Sequence, residues 1–512
     1  MDTPHNRITP SRNRSTMSSA AAETSTFFGH PRGLSTLFFT ELWERFSYYG
    51  MRALLVLYMT TETIGANPGM GLNVGEATAI YGLYTFFVYV LSLPGGWVAD
   101  NLWGRRKSVM VGGIIIASGH FSMAVPYDAM FFLGLALISI GTGLLKPNVS
   151  SIVGDLYPEG GARRDAGFSI FYMGINLGAI LGPLLCGFFG EGYNWHLGFS
   201  LAGFGMVLGL ISYQYGMKYM GDAGLLQTED DDVTLQARSR KFYTISSIFV
   251  AALVTIGYLV GSGTIMLDLQ SVAKNLGVVA VLITLGYFAY IIFFAGHTSE
   301  EKKRLGVILW LFILAAIFWS GFEQAGSSLN LFAKDLTNRV IFGSEIPAST
   351  LQSVNSIFIV IFAPIFGWLW TSLATRNVNP SIPAKFALGL FGLAGGFFVL
   401  SWGAANATPE SPVNASWLVV TYFLHTVGEL CLSPVGLSSM TKLAPKNRVG
   451  QMMGIWFVAA ALGNLIAGLF AGSLENLLPT ELFWQVALIT GGGGVVALLA
   501  APGVRRLMGD VQ

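Results

Sequence analysis

The sequence predicts an all-α membrane protein made of two six-helix bundles with a two-helix hairpin inserted between them. Three observations support this fold class. Of the 512 residues, 53% are hydrophobic and 11% are charged, whereas a soluble protein has about 25% charged residues. Apolar stretches of about 20 residues, the length that crosses a bilayer, can be counted fourteen times. The lysines and arginines gather in alternate loops between those stretches, as in multi-pass membrane proteins.

The fourteen predicted spans fall into three groups. The first bundle takes 34–60, 77–100, 106–126, 129–155, 165–189 and 196–220, the hairpin takes 242–262 and 275–296, and the second bundle takes 304–332, 350–374, 384–403, 415–443, 450–473 and 481–503. The hairpin spans carry almost no polar residue in mid-span, so we expect them to face lipid. The predicted domains are a disordered cytoplasmic tail (1–33), the first bundle (34–220), a linker with the hairpin (221–300), the second bundle (301–507) and a cytoplasmic tail (508–512).

Positive charge predicts the orientation and location of the chain. By our count, 23 of the 29 lysines and arginines lie in the tails and loops on the side of the amino terminus, and three lie in the opposite loops. Because cytoplasmic loops retain positive charge, we expect both termini in the cytoplasm and a multi-pass protein of the cell inner membrane. The net charge of +1 favours no nucleic-acid partner. Cys186 and Cys431 lie in apolar runs and offer neither a disulfide nor a metal site, and we expect no cofactor.

The first span carries a stripe of ionisable side chains. At about 100° per residue, Glu41, Arg45, Tyr48 and Arg52 share one face of a helix, with Glu44 about 60° to one side. Ionised side chains at bilayer depth cost at least about 2.5 kcal/mol each. We therefore expect these groups to pair with one another and to face an aqueous cavity.

Residues 96–107 read GWVADNLWGRRK and lie at the predicted cytoplasmic turn between the second and third spans. The glycines allow two helix ends to approach closely, and Asp100 can pair with a nearby arginine such as Arg105. Such a contact can act as a gate if it breaks in each transport cycle. The segment resembles the GxxxDxxxGRRK loop of the major facilitator superfamily, which implies the two-bundle fold of that superfamily.

Four further stretches resemble the proton-dependent oligopeptide transporter family. The stretch 41–50 (ELWERFSYYG) matches the ExxERFxYYG signature, and agreement continues at 168–178 (FSIFYMGINLG), 318–324 (FWSGFEQ) and 428–436 (GELCLSPVG). The resemblance covers residues 33 to 475 and includes the hairpin, which is common in bacterial members. It implies a symporter, not an enzyme, that imports di- and tripeptides with protons by alternating access. The implied partners are the peptide, protons and the bilayer, and we expect a monomer.

The resemblance also implies which residues bind the peptide. The positions for the carboxy end are Arg52, Lys146 and Asn176, those for the amine are Glu429 and Asn355, and those that line the pocket are Tyr48, Tyr89, Trp319, Ser433 and Trp456. A cavity that is basic on the first bundle and acidic on the second would orient a zwitterion and leave its side chains less constrained.

Charge balance suggests how protons are coupled. The candidate cavity holds three cations, Arg45, Arg52 and Lys146, and four acids, Glu41, Glu44, Glu323 and Glu429. One proton would neutralise this set. Glu41 or Glu44 is the predicted carrier, because burial favours the neutral acid whereas Arg45 and Lys146 favour the carboxylate. Protonation would then free a cation for the peptide carboxylate.

Several residues also have simpler interpretations. Lys146 could neutralise carbonyls freed by Pro147, and Glu323 could lie at the outer membrane interface. Asn176 and Asn355 could be interhelical hydrogen-bond partners. Trp319, Trp456 and Tyr89 could be packing residues. Packing is also the more common role of a single histidine in a helix, which applies to His425.

Two other functions fit the same fold. One is a symporter of nitrate or another small anion, against which Glu429 argues because an acid in the pocket repels an anion. The other is a sensor that binds peptide without moving it. A membrane enzyme is disfavoured, since the sequence has no HExxH, GxSxG or phosphate-binding loop.

Overall fold

The computed structural model describes residues 26–228 and 230–509, without the side chains of Asp232, Gly261 and Asn447. The first bundle contains α1 (Gly33–Thr60), α2 (Val74–Val90), α3 (Ser92–Val98), α4 (Gly104–Met123), α5 (Asp128–Asp155), α6 (Gly161–Gly192) and α7 (Trp195–Gly216). The hairpin contains α8 (Asp232–Gly261) and α9 (Leu269–Phe293). The second bundle contains α10 (Ser299–Phe322), α11 (Ser328–Asp335), α12 (Ser353–Thr375), α13 (Ile382–Ala404), α14 (Ser416–Leu443), α15 (Val449–Gly472) and α16 (Pro479–Met508).

Short strands and tight helical turns connect the long helices. The strands are β1 (Thr26–Phe27), β2 (His30–Pro31), β3 (Thr337–Asn338), β4 (Val340–Ile341), β5 (Ser344–Glu345) and β6 (Val413–Asn414). β1 pairs with β2 and β4 with β5 in antiparallel fashion, whereas β3 and β6 are parallel. A π-helical turn spans Ala99–Trp103, and 3₁₀ turns span Met217–Tyr219, Glu323–Gly326, Ala348–Gln352, Lys446–Arg448 and Ser473–Glu475.

Every predicted span is helical in the described part of the chain. By length and composition, twelve helical segments there could cross a membrane. One of them, Val74–Met123, is 50 residues long. It is interrupted at Gly104, which has a φ of +74°. This segment therefore holds two of the predicted spans. α1 is not among the twelve because it carries four charged side chains. It is nevertheless a continuous helix of 28 residues, long enough to cross a bilayer at 1.5 Å per residue.

Two predicted spans are broken within their length. The span 77–100 divides into α2, α3 and the π-helical turn, and Pro94 lies in α3, where its missing N–H weakens the helix. The span 304–332 divides into α10, a 3₁₀ turn and α11. Glu323 is the first residue of that turn, so this break in the helix carries one of the predicted site residues.

Small residues hold the helices together at close range. A Cβ added at Gly112 of α4 would stand 2.6 Å from the carbonyl oxygen of Gly141 in α5. A Cβ added at Gly468 of α15 would stand 2.4 Å from the carbonyl oxygen of Thr78 in α2. Lipid tails are as apolar as the helices, so such close packing replaces the hydrophobic effect as the main source of association. The second contact joins the two bundles near the amino end of α2.

The predicted disordered tail is too long. Residues 1–25 lie outside the described chain, but 26–33 form the β1–β2 hairpin and the start of α1. The buried His30 ring contacts the Tyr157 hydroxyl through Nδ1 at 2.9 Å, and the Arg32 guanidinium lies 3.9 Å above the Tyr219 ring. The prediction of disorder is therefore wrong for 26–33, because these contacts fix that segment to the chain that follows α5 and α7. At the other end, α16 continues to Met508.

The two hairpin helices have different surroundings. No described residue of α8 is buried, as expected for a helix that faces lipid. Four residues of α9 are buried, namely Ala273, Thr284, Phe288 and Ile291. The prediction that both hairpin helices face lipid is therefore wrong for one face of α9, which packs against the bundles.

Candidate substrate cavity and charge cluster

A cavity of about 2770 Å³ lies between the two bundles, and we call it the central cavity. Its wall combines residues of α1, α2, α3, α5 and α6 with residues of α9, α10, α12, α14 and α15. It extends as far as Asp100, Arg105, Asp155 and Glu159, which lie at the turns predicted to be cytoplasmic. The structure therefore represents a state in which the cavity reaches the predicted cytoplasmic side.

Contacts between the bundles lie towards the opposite side. Asn330 of α11 donates from Nδ2 to the carbonyl oxygen of Ala53 in α1 at 2.7 Å. Lys334 of α11 donates from Nζ to the Thr61 hydroxyl at 3.0 Å. These bonds attach the short helix α11 to the carboxyl end of α1. This end lies opposite the predicted cytoplasmic side, and we call that side of the molecule the outer side. The first and second bundles are joined there.

Two acids make further contacts across the bundles on this outer side. Glu191, near the end of α6, accepts hydrogen bonds from the backbone N–H groups of Ala348 and Ser349 at 3.0 and 2.9 Å and also bonds the Ser349 hydroxyl. Glu475 accepts a 2.7 Å bond from the backbone N–H of Gly75 at the start of α2. Each carboxylate thereby caps the first turn of a helical segment in the other bundle.

The inner half of α1 carries a buried charge cluster. Arg45 Nε lies 3.2 Å from Glu41 Oε1 and also pairs with Glu44. Glu41 is 3% exposed and Glu44 is 0% exposed. Glu41 and Arg45 form part of the cavity wall, whereas Glu44 lies behind it. One guanidinium thus serves two carboxylates, of which one can be reached from the cavity.

The outer half of α1 carries a different pair. Arg52 Nη1 lies 3.0 Å from Glu323 Oε2, and both side chains are buried away from the cavity wall. The Tyr81 hydroxyl of α2 donates to the backbone carbonyl of Glu323 at 3.3 Å. Glu323 therefore lies between the bundles, not at the outer interface, and the stripe predicted on α1 divides between a cavity and a closed contact.

Lys146 is a cation of the cavity wall whose neighbour is an aromatic ring. Its Nζ lies 3.8 Å from the centre of the Tyr89 ring, and both residues line the cavity. Among the described residues it has no carboxylate within ion-pair distance and no hydrogen bond to a carbonyl near Pro147. A cation over an aromatic face is stabilised by about 0.5–2 kcal/mol, less than a buried ammonium loses on leaving water. Lys146 is therefore available to an anion.

The remaining predicted site residues divide into two groups. Those that line the cavity are Tyr89, Asn176, Trp319, Ser433, Trp456, Asp100 and Arg105. Those that lie outside the wall are Tyr48, Asn355 and Glu429, together with Glu44, Arg52 and Glu323. Asn355 donates to the Thr426 hydroxyl at 2.8 Å, an interhelical bond. One carboxylate oxygen of Glu429 is buried without a hydrogen-bond partner, and this acid interacts electrostatically with Tyr49 and Tyr172 of the wall.

His425 is a packing residue in this structure. It is buried, and its ring centre lies 4.8 Å from that of Phe397. Its Nε2 has no hydrogen-bond partner, and the side chain does not line the cavity. This placement agrees with the simpler interpretation of the sequence.

At the mouth of the cavity, on the predicted cytoplasmic side, Arg105 has two acidic neighbours. Its Nη2 lies 3.4 Å from Asp100, and its Nη1 donates to both carboxylate oxygens of Asp155 at 3.0 Å. The sequence identified the first acid and missed the second, which ends α5. An acid at the end of a span, opposite a basic loop, was the available signal.

Comparisons with known proteins fit this architecture. A sequence profile of the POT family matches residues 106–480. The peptide transporter YePEPT of Yersinia enterocolitica is 41% identical over 502 residues, which cover 95% of this chain and 97% of that protein. A di-/tripeptide transporter of Lactococcus lactis is 36% identical over 495 residues, or 95% and 98% of the two chains. The crystal structure of a peptide transporter POT in complex with sulfate superimposes with a TM-score of 0.86 at 40% identity, covering 96% of this chain and 99% of that one.

The chain belongs to the POT family. It is therefore a transporter and not an enzyme, and the predicted major facilitator fold is confirmed. As a POT-family member with many membrane-capable helices it is a multi-pass protein of the inner membrane. The residues that match the profile begin at 106 and therefore do not include the charge stripe of α1.

Sequence reasoning missed three residues that join the two bundles. Tyr81, Asn330 and Glu191 all bridge the bundles, yet each lies in a segment whose sequence shows no charge pattern. Their partners are backbone groups more than 150 residues away. A backbone partner leaves no trace in residue identity, so the sequence offers no signal for these contacts.

Proposed function

We propose that this transporter is a proton-coupled symporter that imports di- and tripeptides by alternating access. The relatives named above are called peptide transporters, which supports the substrate class. One observation carries the proposal: the Glu41–Arg45 ion pair and the uncompensated Lys146 share the wall of one cavity. Such a cavity can hold an anionic group and a proton side by side.

The peptide carboxylate is proposed to bind Lys146. This ammonium has an aromatic partner but no acid, and a carboxylate would supply the missing charge. Asn176, also in the wall, has its amide nitrogen bonded to the Tyr172 carbonyl at 2.9 Å, which leaves its amide oxygen for a donor on the ligand. The proposed acid for the peptide amine is Glu429. It lies outside the wall in this state and interacts electrostatically with wall residues Tyr49 and Tyr172.

Arg52 is proposed to act at a different stage of the cycle. Its ion pair with Glu323 joins α1 to the second bundle, so the outer side cannot open while the pair is intact. Breaking the pair would expose a guanidinium that can bind a carboxylate in the outward-facing state. The Arg52–Glu323 pair thus couples opening of the outer side to substrate recognition.

Glu41 is the proposed proton carrier in the inward-facing state. It lines the cavity, whereas Glu44 is fully buried behind Arg45. A proton on Glu41 would leave Arg45 with one acid, and the net charge of Glu41, Glu44 and Arg45 would rise from −1 to zero while Glu44 stays ionised. Because Lys146 interacts electrostatically with both acids and with Arg45, the proton and the peptide carboxylate would influence each other's binding.

Reconstituted protein tests the function directly. The purified protein in liposomes with an acidic exterior should accumulate a labelled dipeptide, and a protonophore should abolish the accumulation. Di- and tripeptides should compete with the label, whereas tetrapeptides and nitrate should not. Uptake that ignores the pH gradient would contradict symport, and binding without uptake would indicate a sensor.

A further inference from the structure

The helix α9 of the inserted hairpin contributes one side of the central cavity. Its six wall residues are Leu276, Val279, Ala280, Ile283, Thr284 and Tyr287. They recur at intervals of three and four, which places them on one face of the helix. Val278 and Leu282 are absent from the wall and lie on the opposite face. α9 thus has a cavity face and a lipid face.

The position of this face is explained by how α2 and α15 meet. Towards the outer side the two helices pack backbone to backbone: a Cβ added at Gly82 would stand 3.2 Å from the carbonyl oxygen of Leu465 and 3.3 Å from Gly468 Cα. The continuation of α2 into α3 and the cytoplasmic half of α15 instead contribute residues to the cavity wall, among them Leu93 and Gly454. Leu93 and Gly454 touch across the line between α3 and α15, which we call the seam, since a Cβ added at Gly454 would stand 2.9 Å from Leu93 Cδ2. The seam borders the cavity and is held there by a side chain instead of by backbone packing. α9 contributes to the same wall and packs on α15, where a Cβ added at Gly277 would stand 3.3 Å from Leu465 Cδ2.

Both ends of α9 are attached to the bundles. At the outer end, the side chain of Gln270 occupies the space beside Gly75, where an added Cβ would stand 2.0 Å from Gln270 Nε2. At the inner end, the Tyr287 hydroxyl donates to Gln451 Oε1 of α15 at 2.6 Å. Arg448 also donates to that oxygen at 2.8 Å, and its Nε contacts His297 at 3.0 Å. This chain of hydrogen bonds ties α9 to the cytoplasmic start of α15.

We infer that α9 is a structural wall of the cavity, which covers the seam between α3 and α15 and keeps the acyl chains of phospholipids out. The partner helix α8 has no described buried residue and leaves this role to α9. An open seam would expose the charged Glu41, Arg45 and Lys146 region to hydrocarbon, where uncompensated polar groups are costly. The inference itself needs only the cavity; that the wall bounds a peptide path depends on the proposed function.

Thiol labelling tests the wall. The background variant carries Cys186→Ala and Cys431→Ala, which removes both native thiols. Ala280→Cys then places a thiol on the cavity face, and Leu282→Cys is the matched control on the lipid face. A membrane-impermeant cationic methanethiosulfonate is applied to inside-out vesicles. Because the reagent needs water and a thiolate, the Ala280→Cys variant should react at least about tenfold faster than the control. Equal or slower reaction would overturn the inference.

Fluorescence quenching supplies a second readout on the same two variants after labelling with a small fluorophore. Iodide added on the cytoplasmic side should quench the label at position 280, and phospholipids brominated in the acyl chains should quench the label at position 282. Quenching of position 280 by brominated lipid would show that lipid enters the seam, and the inference would fail.

A dipeptide added during thiol labelling separates the two proposals. Protection of the Ala280→Cys variant by dialanine would support both the wall and the peptide path. Fast labelling without protection would support the wall and contradict the proposed substrate.

Discussion

The outer and inner halves of the interface between the bundles use similar side chains in opposite ways. On the outer side, several polar groups are matched by a partner from the other bundle, as in Arg52–Glu323, Asn330–Ala53 and Glu191–Ser349. On the inner side, Arg45 is matched by acids of its own helix, and Lys146 by Tyr89 of its own bundle. The difference indicates that closure requires pairing across bundles, whereas pairing within one bundle leaves a cavity.

The proposed alternating access would use this contrast. In the outward-facing state the outer pairs must break, so the charge of each separated group must be compensated by another group. The inner groups must at the same time find partners across the cavity. Removing one member of a buried pair costs about 3–5 kcal/mol because the other is left uncompensated. A proton or a substrate carboxylate that replaces the lost partner lowers that cost.

Arg45→Met should have the largest effect. It leaves Glu41 and Glu44 buried side by side without a cation, a cost of about 3–5 kcal/mol. We expect loss of uptake and a marked fall in the thermal unfolding temperature in detergent. The double variant Arg45→Met with Glu44→Gln should recover part of the stability, since one of the two charges is gone. A single variant as stable as the wild type would show that the cluster does not depend on its arginine.

Glu323→Gln should open the outer side. It removes the ion pair that crosses the bundles, and a hydrogen bond to a charged group contributes about 1.5–3 kcal/mol. We expect the outward-facing population to rise about tenfold or more. The readout is labelling from outside at Ser353→Cys in the cysteine-free background, because Ser353 is buried and bonded to the Ile180 carbonyl.

The matched control for that variant is Glu345→Gln. Glu345 pairs with Arg339 at 2.7 Å within the outer loop of the second bundle and is exposed. The Glu345→Gln variant should leave the labelling of Ser353→Cys unchanged. Equal labelling in the Glu323→Gln and Glu345→Gln variants would contradict a closing role for the cross-bundle pair.

Glu191→Gln should open the outer side by a smaller amount. The carboxylate is only half-buried, and the amide oxygen of glutamine can still accept from the backbone N–H groups of Ala348 and Ser349. We expect a change of about threefold in the same labelling assay, or less than 1 kcal/mol. The exposed outer-loop acid Glu62, changed to Gln, serves as control. An effect equal to that of Glu323→Gln would contradict the ranking by burial.

Asp155→Asn should have the smallest effect. Its pair with Arg105 is about one-third exposed, and exposed pairs contribute about 0–1 kcal/mol. Initial uptake rates should change by less than about fivefold. Asp100→Asn should change them less, because Asp100 lies farther from Arg105, at 3.4 Å, and is more exposed. The reverse order would indicate that Asp100 is the main acid of the proposed gate.

The sequence predicted the architecture of the molecule better than its contacts. Hydropathy and charge located every span, because each span is a local pattern of about 20 residues. Helical periodicity placed Glu41, Arg45 and Arg52 on one face, but it could not reveal that Glu323, 271 positions after Arg52 in the sequence, would close one end of that face. The contacts of Asn330 and Glu191 with backbone groups were likewise invisible.

The misjudged segments have a common cause. Residues 26–33 look disordered by composition, and α9 looks lipid-facing by hydropathy. Both are fixed by tertiary contacts, of His30 with Tyr157 and of Tyr287 with Gln451. Composition describes what a segment could do in isolation, whereas the bundles provide surfaces that bind it.

The most direct test of the account is the Glu41→Gln variant in two assays. If Glu41 is the acid that takes a proton from the cavity, exchange of labelled for unlabelled dipeptide across the membrane without a pH gradient should stay within about threefold of the wild type. Accumulation driven by an acidic exterior should be lost in the same preparation. Accumulation at the wild-type level would contradict the assignment of the proton to Glu41 and, with it, the role given to the inner half of α1.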